Sequence, residues 1–176
     1  AFLAETPPAP LAALAPESTV YVSGFSKSVA TGLRVGYIAA PEKWVPKLER
    51  AIRATTWNTP GVMTAIACEW INDGTVLLME AKKRQDARVR QALARKVLSG
   101  FSYSSHPASY FFWLHLPVEV RAEQVVMMLL RANISVSSAE PFATSEHVPD
   151  AIRLALGSVP LDVLETALQK VAKVVY

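Results

Sequence analysis

The chain has 176 residues, 51% of them apolar and 19% charged, with a net charge of +3; this length carries one good core or two small ones, and this apolar share excludes a disordered chain. No uninterrupted apolar run reaches the ~18 residues of a membrane span. The single cysteine, Cys68, excludes an intrachain disulfide, and the three histidines, His106, His115 and His147, lack metal-ligand spacing, so no metal is expected.

Residues 1–16 are rich in Pro and Ala, and Thr6-Pro7-Pro8-Ala9-Pro10 predicts an extended segment, because each proline removes a backbone donor. One helical turn is expected at Leu11 to Leu14. Thr19-Val20-Tyr21-Val22 is a β-branched and aromatic run that reads as a strand. It feeds a turn of small residues, Ser23-Gly24-Phe25-Ser26-Lys27-Ser28, which carries one lysine. Arg34 comes seven residues later, and a second strand is expected over residues 35–40. An amine held at a strand end among small residues can condense with an aldehyde. A guanidinium close by can hold a phosphate through its planar fork of donors. These are the two anchors that pyridoxal phosphate needs. Spacing alone leaves open a solvated loop lysine and a surface arginine.

Pro41-Glu42-Lys43 opens a helix, with Trp44, Leu48 and Ile52 recurring as an apolar stripe. Trp57-Asn58-Thr59-Pro60-Gly61 breaks it, with Asn58 a candidate cap for the next helix. That second helix is expected over residues 62–71, interrupted by Asn72-Asp73-Gly74, and a long one over residues 75–98. The latter carries Lys82, Lys83, Arg84, Arg88, Arg90, Arg95 and Lys96, spread around its circumference with Glu80 and Asp86. That distribution reads as a solvated face rather than a nucleic-acid stripe.

Residues 108–116 form a β-rich run ended by Pro117, in which His115 reads as structural. A helix is expected over residues 122–131, packing through Val125, Val126, Leu129 and Leu130. Ile134-Ser135-Val136 reads as a short strand and residues 137–149 as a loop. Residues 151–156 are the last strand: Ile152, Leu154 and Leu156 face one way, Arg153 and Ala155 the other. An arginine in so apolar a strand needs a partner or water, or sits on an open sheet face. A final helix over residues 161–175 packs through Val163, Leu164, Ala167, Leu168, Val171 and Val174.

The stretch from Ser23 to Tyr37 resembles the lysine signature of fold-type I pyridoxal-phosphate enzymes, the aspartate-aminotransferase-like superfamily. The resemblance implies that Lys27 carries the cofactor, that Arg34 binds its phosphate with help from Ser26 or Ser23, and that Arg153 pairs with a substrate α-carboxylate. It implies an α/β fold: residues 1–74 as the remnant of the large cofactor-binding domain, residues 75–176 as the small C-terminal domain with its bridging helix. One departure is Gly24, where many family members carry a phosphate-binding hydroxyl three positions before the lysine. The start, Ala1-Phe2-Leu3-Ala4-Glu5, has no initiator Met and no signal-peptide pattern, so the chain reads as the C-terminal portion of a longer protein.

Three further segments look like the aminotransferase-like domain of MocR-type regulators, a subgroup of the GntR family. They are the run from Arg53 to Pro60, Ser137-Ser138-Ala139-Glu140-Pro141-Phe142, and the run from Ala151 to Ser158. The resemblance implies a cytoplasmic, head-to-tail homodimer whose domain senses an amino acid or related carboxylate. DNA would be bound only through an N-terminal winged helix outside this chain. The alternative is part of a working class I/II aminotransferase, in which Lys27 also moves a proton. The same anchors serve both, and the 176 residues alone are expected to be inactive.

Overall fold

The computed structural model describes Ala4 and residues 6–176; the extended segment expected over residues 1–16 therefore falls partly outside the described residues. The chain divides into two compact units, Ala1–Lys83 and Arg84–Tyr176.

In the first unit, α1 (Leu11–Leu14) and a 3-10 turn (Pro16–Ser18) lead to β1 (Tyr21–Gly24). One turn of helix, α2 (Phe25–Ser28), and a second 3-10 turn (Thr31–Leu33) connect it to β2 (Gly36–Ala39). The two strands pair antiparallel, from Tyr21 opposite Ala39 to Gly24 opposite Gly36. The first lies two residues later than the run Thr19–Val22 that announced it, and the second is shorter than the expected 35–40: residues 19, 20, 35 and 40 lie outside the ladder. A 3-10 turn (Glu42–Trp44) then opens α3 (Val45–Thr55), with Pro46 in its first turn, where a missing N–H costs nothing. The stripe expected on this helix is not a core face within the unit, because Trp44 and Ile52 are exposed and α3 buries no residue.

The next helix, α4 (Gly61–Asn72), is capped by Pro60 without a side-chain hydrogen bond, so Asn58 is not its cap. The following helix, α5 (Thr75–Val97), starts where Asp73 accepts the Thr75 N–H at 2.8 Å. That bond holds the Asp73 carboxyl below its ordinary pKa. The core of this unit is Phe25, Val29, Leu33 and Val35 packed on Ala67, with Ile66, Trp70, Val76 and Met79 around them.

In the second unit, β3 (Tyr103–Ser105), β4 (Phe111–His115), β5 (Ser137–Ser138) and β6 (Ala151–Ala155) form an antiparallel sheet ordered β3-β4-β6-β5. Its period of two divides the residues between faces. Phe112, Leu114, Ile152 and Leu154 face the core, none more than 4% exposed. The helix α6 (Ala122–Arg131) covers them through Val125 and Leu129, and α7 (Leu161–Val175) through Leu164, Leu168, Val171 and Val175. The expected α6 and α7 stripes are each rotated slightly, since Leu130 and Val163 are exposed and Val175 is buried instead. The second half of α5 adds Ala94, and Leu98 follows just past its end. The other sheet face carries Phe111, Trp113, His115 and Arg153. The strand expected at Ile134 to Val136 forms instead at Ser137–Ser138, where Arg153 and Ile152 lie opposite, after Asn133 has turned the chain at φ 60.

Candidate functional site

Lys27 and Arg34 share one loop, closed at its neck by the Gly24–Gly36 pair and by the Phe25 N–H donating to Val35 O at 3.1 Å. The neck is tight. A Cβ at position 24 would sit 3.1 Å from Val35 O and 3.3 Å from the Gly36 Cα, and one at position 36 would sit 3.3 Å from Ser23 O. A side chain at position 24 would press on the opposite strand, which would have to give by a few tenths of an ångström. Beyond the neck, the N–H groups of Val29 and Ala30 both donate to Phe25 O, at 2.8 and 3.0 Å, and wind α2 into a closed turn.

Four buried side chains, Phe25, Val29, Leu33 and Val35, pin the loop onto the core. Ser26 is left half-buried, and Lys27 and Arg34 are exposed. Arg34 adopts φ 52, ψ 28, the left-handed region. For a residue with a Cβ this costs about 1–2 kcal/mol, and such strain clusters at functional positions. Neither Lys27 nor Arg34 has a hydrogen bond or ion pair among the described residues. An unpartnered amine and an unpartnered guanidinium in a strained conformation therefore stand on one short loop, the donor types that an aldehyde and a phosphate call for.

Arg153 stands on β6, opposite Trp113 on one side and Ser137 on the other. Its guanidinium carbon lies 4.7 Å from the centroid of the Phe111 ring and 4.3 Å from that of Phe142. Phe142, in a 3-10 turn (Glu140–Phe142), also meets the Trp113 ring edge-on at 5.5 Å. The Arg153 Nε is buried without a hydrogen-bond partner, and no acceptor pairs with the guanidinium among the described residues. A buried unsatisfied donor in a native fold calls for an explanation, and an anion supplied by a ligand is one.

Two polar residues of α5 set the strands that carry this group. The Gln91 side chain, 1% exposed, donates from Nε2 to Ser109 O and Phe111 O at 2.8 and 3.0 Å. Arg90 donates to Leu156 O and Val159 O at 2.8 and 2.6 Å and pairs with Asp86 at 2.8 Å. Asp86 also accepts the Tyr110 hydroxyl at 2.8 Å. Burial first, then that bond, push the Tyr110 pKa up to about 12. The arginine contacts fall just beyond the end of β6 and the glutamine contacts at and just before the start of β4, so α5 ties down the adjoining ends of the two strands.

His115 lies 2.8 Å from the Ser104 hydroxyl through Nε2, a cross-strand contact on the same sheet face. A cavity of about 890 Å³ opens beside β6, lined by Ile134, Val136, Leu156, Leu164 and Leu168 among others, and includes Arg153 but neither ring that approaches it. Of the groups described here, Phe111 and Phe142 were not singled out from sequence as site residues. The signal is half present: Phe111 shares the alternation of Trp113 and Phe142 ends the segment from Ser137, but the β4–β6 register brings the first to Arg153 and the 3-10 turn after β5 brings the second.

The architecture is that of the fold-type I aminotransferases, an α/β fold. It superposes on LysN, the α-aminoadipate aminotransferase of Thermus thermophilus, with a TM-score of 0.83 at 20% identity, over 94% of this chain and 44% of that one. The sequence matches the family described as aminotransferase class I and II over residues 1–171, and the chain belongs to that family. Its relatives include both regulators and enzymes. It is 26% identical to YisV, an uncharacterized HTH-type transcriptional regulator of Bacillus subtilis, over 96% of this chain and 36% of that protein. It is 24% identical to the aromatic-amino-acid aminotransferase 1 of Thermococcus litoralis, over 89% of this chain and 39% of that protein. The chain thus spans a little over a third of the length of these relatives. No single helix among the described residues is long and apolar enough to cross a membrane.

Proposed function

We propose that this chain is the lysine-bearing and small-domain part of a pyridoxal-phosphate-binding, aminotransferase-like effector domain in a MocR/GntR-type transcriptional regulator. The observation that carries the reading is the Lys27–Arg34 loop in a chain whose relatives are repeatedly HTH-type regulators. Residues 1–74 belong in this reading to the large cofactor-binding domain and residues 75–176 to the small one. The protein is cytoplasmic, works as a homodimer, and contacts DNA through a separate helix-turn-helix domain.

Lys27 holds the cofactor through its amine, Arg34 takes the phosphate in its fork of donors, and Ser26 adds a hydroxyl. Pyridoxal phosphate supplies the electron sink for chemistry at an amino-acid α-carbon. LysN was solved with a phosphopyridoxyl-leucine bound, which supports the same class of group here. Arg153 offers its free donors to the carboxylate of an amino acid or a related acid. In a regulator that capture is the signal; in an enzyme, Lys27 would also carry the proton at its Nζ. The enzyme reading is favoured by the aromatic-amino-acid and 2-aminoadipate transaminases among the relatives.

The test is an absorbance titration of the intact protein with pyridoxal phosphate, beside Lys27→Ala. The expected result is a visible band that the variant lacks. Amino acids that shift the band without forming an oxo acid support the sensor; steady oxo-acid production supports the enzyme. No band in the intact protein refutes Lys27 as the anchor.

A further inference from the structure

We infer that Phe111 and Phe142 are positioning residues that hold Arg153 ready for a carboxylate, an inference that rests on the reading of Arg153 given above. The two ring contacts, at 4.7 and 4.3 Å, are the only interactions that fix the guanidinium among the described residues. This matters because of what rings do not do. A ring face attracts the cation but accepts none of its N–H groups in an ordinary hydrogen bond. An aspartate in the same place would occupy two donors and cancel the charge. Arg153 is therefore restrained without being neutralised. Its Nε is buried and unpartnered, so Nε–H and a terminal N–H together are open to the two oxygens of an incoming planar carboxylate.

The restraint has a source in each ring. Phe111 lies diagonally across the β4–β6 ladder, where Trp113 is the direct partner of Arg153. Long side chains reach each other across that diagonal. Its strand is fixed by the Gln91 contact to Phe111 O. Phe142 comes from the turn after β5 and is braced by the edge of Trp113 at 5.5 Å. A free arginine loses rotamer entropy on binding, whereas a restrained one has already lost it on folding.

The test uses the intact protein with 15N-labelled arginine, leucine and isoleucine, and sodium pyruvate as the probe. The Nε–H of Arg153 is buried, so its resonance is the direct reporter of the site. In the wild-type protein this resonance and the neighbouring Leu154 amide on β6 shift saturably with pyruvate, and in Arg153→Lys the Leu154 amide no longer does. Phe142→Leu and Phe111→Leu each raise the Kd about threefold to tenfold and move the Nε–H resonance before any ligand is added. Phe142→Tyr, which keeps the ring, stays within about twofold of wild type. Unchanged amide shifts at Leu114 and Ile152 in the core show that the sheet is intact. Absent binding in wild type, or unimpaired binding in Arg153→Lys, overturns the carboxylate reading and the inference with it. Binding lost in Arg153→Lys but unchanged in both leucine variants overturns the positioning role alone.

Discussion

Gly157, just past β6, should be replaceable by alanine only if Tyr110 is removed as well. A Cβ there would stand 2.8 Å from Tyr110 Cδ1, 3.2 Å from Cγ and 3.3 Å from Cε1. Ordinary carbon contacts are about 3.5–4.0 Å, so the ring would have to retreat by most of an ångström. It is not free to do so. Its hydroxyl donates to Asp86 at 2.8 Å, Asp86 is held by Arg90 at 2.8 Å, and Tyr110 O accepts the Leu156 N–H at 2.8 Å. Overpacking of this kind costs about 1–3 kcal/mol. Position 157 is outside the left-handed region, so alanine also recovers about 0.4–1 kcal/mol from the unfolded chain. The expected net loss for Gly157→Ala is about 1–2 kcal/mol, and in a Tyr110→Ala background the same change should be neutral or slightly stabilising. Urea unfolding of the four chains of this cycle gives the coupling, expected near ~2 kcal/mol, from midpoints at a shared slope. Equal costs in the two backgrounds would show that the ring contact does not decide the glycine.

Tyr110→Phe should remove an alkaline sensitivity. The fold favours the neutral phenol, whose pKa is raised from 10.0 to about 12. The associated stability is fully present below pH ~10 and is lost as pH rises toward 12. Urea midpoints between those pH values should fall less steeply in the variant than in wild type. Phe112→Ala empties a fully buried position at the centre of the sheet and should cost about 3–5 kcal/mol, measured by the same melt. Arg34→Gly should separate stability from binding. It relieves a left-handed φ worth about 1–2 kcal/mol against a glycine entropy cost of about 0.4–1 kcal/mol. The chain should therefore be unchanged or slightly more stable while the intact protein loses pyridoxal phosphate on dialysis, and a destabilised variant would contradict the strain assignment.

Legibility in the sequence tracks the range of the interactions concerned. The long helices and the β4 and β6 strands were readable because their periodicity is local, and the family was readable because the Ser23–Tyr37 stretch packs an unusual residue set into one turn. Strand β3 was missed: Tyr103-Ser104-Ser105 has no apolar alternation and is a strand because Leu114, Trp113 and Phe112 lie opposite it. The misplacement of β5 has a similar cause. Ile134 and Val136 have the stronger β character, yet Ser137 and Ser138 form the ladder because Arg153 and Ile152 are their partners. The exposed α3 stripe shows the converse limit, since periodicity finds an apolar face without saying what covers it.

The same distinction bears on the two candidate anchors. Left-handed strain by itself does not identify a site: Trp57 also sits at φ 66, is 74% exposed, and nothing in the structure explains it. Arg34 differs because three independent features converge on its loop. The strand neck is closed by two glycines that no side chain could replace without displacing backbone. Four buried apolar residues fix the loop from beneath. The only long polar side chains it then offers are one amine and one guanidinium, both without partners among the described residues. Burial of those four side chains stabilises the loop in one conformation, which solvation of the two groups alone would not require. It is what a fixed anion and a fixed carbonyl carbon require, because a charged fork binds through its placement and loses that advantage when the backbone beneath it moves.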